Sequence, residues 1–170
     1  MRSIVKKIVL FLSFSISIAN AQDNLTFTGN LIIPNCVINN NNPVTINWGD
    51  IEIQTIGSYS NPSHRKDLDI PINCPYSIGM PKLTVQANSE TTGDKQGIST
   101  SKKDEGLLVY LSAGTVNGWL KYNEQQNIPN TNIKNGNTLQ LYAFLGYSKN
   151  ISNLKPGPFN AGASLTLRYE

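Results

Sequence analysis

The chain has 170 residues, with 14 Lys and Arg against 11 Asp and Glu, one His and two Cys. That length suits a single domain with a sizeable core, and one His beside two Cys is too few for a four-ligand structural metal centre. The formal net charge of +3 raises nucleic acid or an anionic membrane as partners, and the positions of the charges decide whether either has support.

Arg2, Lys6 and Lys7 form a basic start, Ile8 to Ile18 is apolar with only serines interrupting it, and Ala19-Asn20-Ala21 supplies small residues where a signal peptidase reads. Residues 1–21 are therefore expected to be a signal peptide cleaved after Ala21. Its apolar run, about a dozen residues, falls short of the roughly 20 that span a bilayer. Removing 21 residues takes three of the 14 cations and none of the 11 acids, which leaves a neutral mature chain. Neither nucleic acid nor an anionic membrane surface then has a charge argument behind it, and no membrane span is expected in the mature protein.

Export gives the cysteines a meaning. In an oxidising compartment two thiols and no third form one disulfide, here Cys36 to Cys74, and closing that loop of roughly 39 residues contributes about 4 kcal/mol. A metal site would need more ligands than His64 adds, so neither metal nor cofactor is expected.

Along the rest of the chain apolar residues alternate with polar ones. The runs are Leu25–Ile33, Val44–Trp48, Leu68–Ile72, Leu83–Val85, Leu107–Leu111, Leu139–Phe144 and Phe159–Tyr169, with Gly, Pro and Asn between them, including Asn39 to Asn42. Short period-two strands separated by turn signals predict an all-β sandwich or barrel, and no window of helical period competes. Asn61 to Asp67 is expected to be a solvated loop. Its Ser63, His64 and Asp67 are chain neighbours, whereas triads assemble across a fold, so no enzyme site is expected. Trp48, Trp119, Tyr59 and Tyr122 could offer a sugar-stacking platform, although alternation assigns Trp48 to the core.

The two ends carry most of the information. In Leu25-Thr26-Phe27-Thr28-Gly29-Asn30-Leu31-Ile32-Ile33 every odd position is apolar or glycine, which reads as a strand with one buried face and a step at Gly29. In the last strand Phe159, Ala161, Ala163, Leu165, Leu167 and Tyr169 alternate with polar or small residues up to Glu170. Such a strand needs a neighbour, because a bare apolar edge is an aggregation hazard. Either the first strand returns to it or another molecule supplies one, and alternation alone favours the closed, self-paired sandwich.

Resemblance favours the other arrangement. Phe27-Thr28-Gly29-Asn30-Leu31 with Ile33-Pro34-Asn35-Cys36, Trp48-Gly49-Asp50-Ile51, Ile70-Pro71-Ile72-Asn73-Cys74-Pro75-Tyr76, Gly106 to Leu111, and Gly157-Pro158-Phe159-Asn160-Ala161-Gly162-Ala163 with penultimate Tyr169 resemble pilin subunits of the chaperone–usher pathway. Asp23 to Phe27, Leu31 to Pro34 and Glu52 to Thr55 are similar to the minor tip-fibrillum branch of P-type pili.

The resemblance implies an incomplete immunoglobulin-like sandwich lacking its last strand, with residues 22–33 as an N-terminal donor-strand extension and residues 34–170 as the pilin domain. It implies a structural role in an adhesive fimbrium at the cell surface, with a periplasmic chaperone, an outer-membrane usher and neighbouring pilins as partners. A fimbrial adaptor or a carbohydrate-binding adhesin-like module is the alternative. By motif position Leu25, Phe27, Leu31 and Ile33, with Gly29 at the step, would enter a neighbour's groove. Gly157, Phe159, Ala161, Ala163, Leu165, Leu167 and Tyr169 would line or edge this subunit's own groove and pair with the chaperone, to which Glu170 would offer its carboxylate. Strand addition of this kind is a recognised mode of peptide binding, and chaperone–pilin complementation is one of its standard examples.

Overall fold

The computed structural model describes residues 25–114 and 118–170. The expected signal segment, residues 1–21, lies outside them. Ile32–Glu170 forms one compact unit, and the chain before it is a separate one.

Among the described residues the fold is all-β. The strands are β1 (Val37–Ile38), β2 (Gly57–Ser58), β3 (Ser63–Asn73), β4 (Pro81–Ala87), β5 (Ser89–Thr92), β6 (Lys95–Ser99), β7 (Leu107–Ser112), β8 (Gln125–Asn127), β9 (Ile133–Lys134), β10 (Thr138–Tyr147) and β11 (Ala163–Tyr169). The larger sheet runs β1-β3-β10-β7-β6-β5, with β2 and β9 also paired to β10, and the smaller runs β11-β4-β8. Period-two alternation explains how the sheets face each other. Leu83 and Val85 of β4 and Leu167 of β11 meet Ile70 of β3, Val109 of β7 and Leu141 of β10 in one buried cluster.

β7 is buried along its whole length. Leu107, Val109 and Leu111 join the main core, whereas Leu108 and Tyr110 join Phe144 in a second cluster covered by Tyr59, Trp119 and Tyr142. The neighbouring strands make room for the Tyr110 ring. A Cβ on Gly97 would come within 2.8 Å of the Leu108 Cβ, and one on Gly146 within 2.9 Å of the Tyr110 Cε2.

The Cys36–Cys74 disulfide is formed, and it ties the chain just before β1 to the end of β3. Three expectations need correction. The segment Ser63–Asp67 opens β3 and is not a loop. Leu68 and Asp67 of β3 pair with Leu141 and Tyr142 of β10, and that ladder carries the polar residues along with the apolar ones. Val44–Trp48 forms no ladder, although its alternation survives as half-buried Ile46 and Trp48 beside exposed Thr45 and Asn47. Leu25–Ile33 likewise carries no strand, and its apolar face is not buried. The reason is the same for both runs: alternation specifies faces, but a ladder also needs a partner edge, and within the described chain none is bonded to them.

Candidate strand-accepting groove

β11 pairs with β4 along one edge from Ala163↔Ala87 to Tyr169↔Pro81. On its other edge the main-chain bond seen among the described residues is at the far end, where the Cys36 N–H donates to the Leu167 carbonyl at 2.7 Å. Between that bond and Phe159 runs an open groove of about 1810 Å³. One wall is Pro43–Ile51, the other is Gly157–Thr166, and Ile70, Val109 and Leu141 form its floor. A cleft with an apolar floor beside a strand edge that, among the described residues, is bonded only at its far end has the chemistry of a missing strand's place: the floor takes alternate side chains and the edge takes main-chain hydrogen bonds.

Several contacts position the walls. Trp48 donates its indole N–H to the His64 carbonyl at 2.7 Å and packs on Phe159 with ring centroids 6.2 Å apart. Below Gly157, the Lys102 ammonium donates to the Lys155 carbonyl at 2.9 Å and pairs with Glu105 at 3.1 Å. The Glu105 carboxylate also accepts the Lys155 N–H at 2.7 Å. That main-chain donor first, and the Lys102 ammonium second, hold the Glu105 carboxyl below its ordinary range.

Of the residues singled out in the sequence, Gly157, Phe159, Ala161, Ala163 and Leu165 line this groove. Leu167 and Tyr169 do not; they are buried in the main core beneath the strand. The main-chain oxygen of Glu170 accepts from the Met80 N–H at 2.9 Å, and its side chain pairs with Arg168 and, at 2.5 Å, with Lys82. The Lys82 ammonium is the main reason the Glu170 carboxyl is held low.

At the other end of the chain Leu25, Phe27, Leu31 and Ile33 are 67%, 86%, 101% and 42% exposed. Gly29 has no neighbouring atom within 4 Å of a built Cβ. An alternating apolar face left in water is the complement of an unfilled apolar groove.

Sequence reasoning missed the Pro43–Ile51 wall and the Lys102–Glu105 clamp. The signal for the wall was present in Val44, Ile46 and Trp48, but alternation cannot distinguish a core strand from a groove rim. The four aromatics considered as a platform are dispersed. Tyr122 sits in the main core, Tyr59 and Trp119 flank the second cluster, and Trp48 lies in the groove.

The sequence model of the family described as "Fimbrial protein" matches residues 25–170. The chain is 37% identical over 155 residues to the fimbrial protein PrsE of Escherichia coli, covering 88% of this chain and 87% of that one. It is 27% identical over 112 residues to the minor fimbrial protein PrsF of Escherichia coli, 64% of each. Among solved structures the P pilus rod subunit PapA superposes with a TM-score of 0.59 at 19% identity, covering 88% of this chain and 100% of that one. The P pilus adaptor subunit PapF gives 0.57 at 20% identity, covering 83% and 100%.

Proposed function

The chain belongs to the fimbrial protein family, and from that premise we propose that it is a pilus subunit that joins its neighbours by exchanging strands through the groove beside β11. The single observation that carries this is the pairing of an unfilled apolar groove of about 1810 Å³ with an exposed, alternating apolar segment at Leu25–Ile33 of the same chain. In this reading residues 22–33 are the donated extension and residues 34–170 the accepting domain.

Leu25, Phe27, Leu31 and Ile33 enter the groove of a neighbour. Gly157, Phe159, Ala161, Ala163 and Leu165 receive the strand, with Leu167, Tyr169 and Glu170 setting the end of β11. Burying four large apolar side chains at roughly 1.5–3 kcal/mol each gives about 6–12 kcal/mol before backbone pairing and ordering costs, enough for a durable link without a covalent bond. During export a periplasmic chaperone fills the groove, the outer-membrane usher is where the next subunit replaces it, and the assembled fimbrium stands on the cell surface. The 27% identity to the minor fimbrial protein PrsF supports a minor position in the fibre.

The test is to append a second copy of residues 22–33 after Glu170 through a short flexible linker. The fused chain is expected to unfold at a midpoint at least 10 °C above that of the unfused chain, because the groove is filled from within. Equal midpoints would overturn the reading, since a closed sandwich has no place for the added strand.

A further inference from the structure

We propose that Val37, Ile78 and Met80 form a further contact between successive copies of this chain, packing on the Pro156-Gly157-Pro158 lip of the neighbour whose groove holds the donated strand. The joint is then held by the strand and by this patch together. The inference rests on the strand-exchange reading above. Nine large apolar side chains among the described residues stand exposed. Five belong to Leu25–Ile33 and Val44 belongs to the groove wall, so donating and accepting a strand account for six of them. Val37, Ile78 and Met80 are left over, at 37%, 72% and 47% exposure.

These three share one end of the sandwich. Val37 sits opposite Asn73 in the β1–β3 ladder, directly after the Cys36 that is bonded to Cys74 and to the Leu167 carbonyl. The chain runs on from Cys74 to Ile78 and Met80, and Met80 exchanges main-chain hydrogen bonds with Glu170 at 2.9 and 3.1 Å. Gly79 makes that return possible. Its φ of 102° is left-handed, and a Cβ there would stand 2.7 Å from the main-chain oxygen of Glu170. The patch is therefore held in place before any partner arrives.

The tether decides what covers it. At the Leu167 end of the groove the acceptor's own Cys36 already bonds the edge of β11, so a donor whose domain stays outside enters with its Ile33 at the open Gly157 end. Cys36, fixed in the donor's domain by its disulfide, is three residues beyond Ile33, and three residues reach about 10 Å at most. The Val37 end of the donor's domain is thus drawn onto the acceptor's lip. Pro156, Gly157 and Pro158 are exposed there, and the prolines offer ring surface with no N–H to leave unpaired. The contacts of Lys102 and Glu105 to Lys155 fix the base of the lip. A patch of three side chains covers far less than the roughly 1,000 Å² that a free-standing interface needs, so it closes only where the donated strand has already brought the two surfaces together.

The experiment assembles fibres from equal parts of two full-length mature variants, Met80→Cys and Pro156→Cys, and treats them with a short bismaleimide. Both native cysteines are in the disulfide, so the introduced thiols are the sole targets. A covalent pair on a denaturing gel is expected, and likewise with Ile78→Cys in place of Met80→Cys. Asp94→Cys lies in the turn between β5 and β6, at the edge of the larger sheet opposite β1. It should give roughly tenfold less product, because the strand does not bring it to the joint. In fibres of a chain carrying both Ile78→Ser and Met80→Ser, subunits should be released in denaturant roughly two- to tenfold faster, as contacts at an interface act chiefly on dissociation. Fibres that form but give no covalent pair above the Asp94→Cys level, that release the serine variant no faster, or that link Met80→Cys only to residual chaperone overturn the contact. Failure of the unsubstituted chain to assemble at all would overturn strand exchange itself, a result distinguishable from fibres that form without the crosslink.

Discussion

At the scale of single residues, the positions that matter most are those where a small side chain leaves room for something else. Gly97 and Gly146 make space for Tyr110 inside the chain, and a Cβ at either would press on packed neighbours. Gly29 is the opposite case. Nothing in its own chain lies within 4 Å of where a Cβ would stand, and its φ is not in the left-handed region, so the fold places no demand on it. The demand is expected from the groove of a neighbour. Gly29→Leu should leave the thermal midpoint within about 1 °C, as exposed substitutions do. The same change in a synthetic peptide copying residues 22–36 should slow its uptake at least tenfold by steric clash. Normal uptake of the leucine peptide would remove Gly29 from the inserted face.

At the scale of elements, two runs with the same alternating pattern meet different fates. Leu139–Phe144 becomes the centre of β10, paired on one side with β3 and on the other with β7. Leu25–Ile33 pairs with nothing among the described residues and keeps its apolar side chains in water. If the latter is a donor and contributes nothing to its own domain, deleting residues 22–33 should leave the thermal midpoint and the uptake of donor peptide unchanged, while abolishing insertion into a second copy. Circular dichroism melting and native-gel assembly measure the two halves of this expectation. A truncated chain that fails to fold even with peptide present would make the segment an internal strand. β11 is intermediate: Leu167 and Tyr169 are locked in the core while Ala163 and Leu165 face the groove, so the element is half completed from within and half left to a partner.

At the scale of the whole molecule, the sandwich has one sheet edge that is closed only at its end. The Cys36–Cys74 bond lies beside that closure, since Cys36 also supplies the N–H that caps Leu167. Replacing both cysteines with serine is expected to cost about 4 kcal/mol from the loop that the bond closes. It should also loosen the groove at its Leu167 end, seen as a lower denaturation midpoint and faster release of bound peptide. A midpoint shift corresponding to under about 1 kcal/mol would show that the tie is redundant with β1 pairing. Much of this design is written in the chain. Period-two alternation fixes which side chains face inward, since side chains on a strand point to opposite faces in turn, and two cysteines in an exported chain fix their own pairing. Alternation therefore determined the all-β class, the apolar ends and the identity of Phe159, Ala161, Ala163 and Leu165 as residues of one face. Pairing is a different matter, because whether an edge finds a partner depends on residues far away in sequence. Only the tertiary structure could decide that Val44–Trp48 is a groove wall and not a core strand, that Leu167 and Tyr169 are buried while Leu165 remains at the rim, and that Trp48 packs on Phe159. Faces are local properties of a strand, and a vacancy between strands exists only once the rest of the sandwich has closed around it.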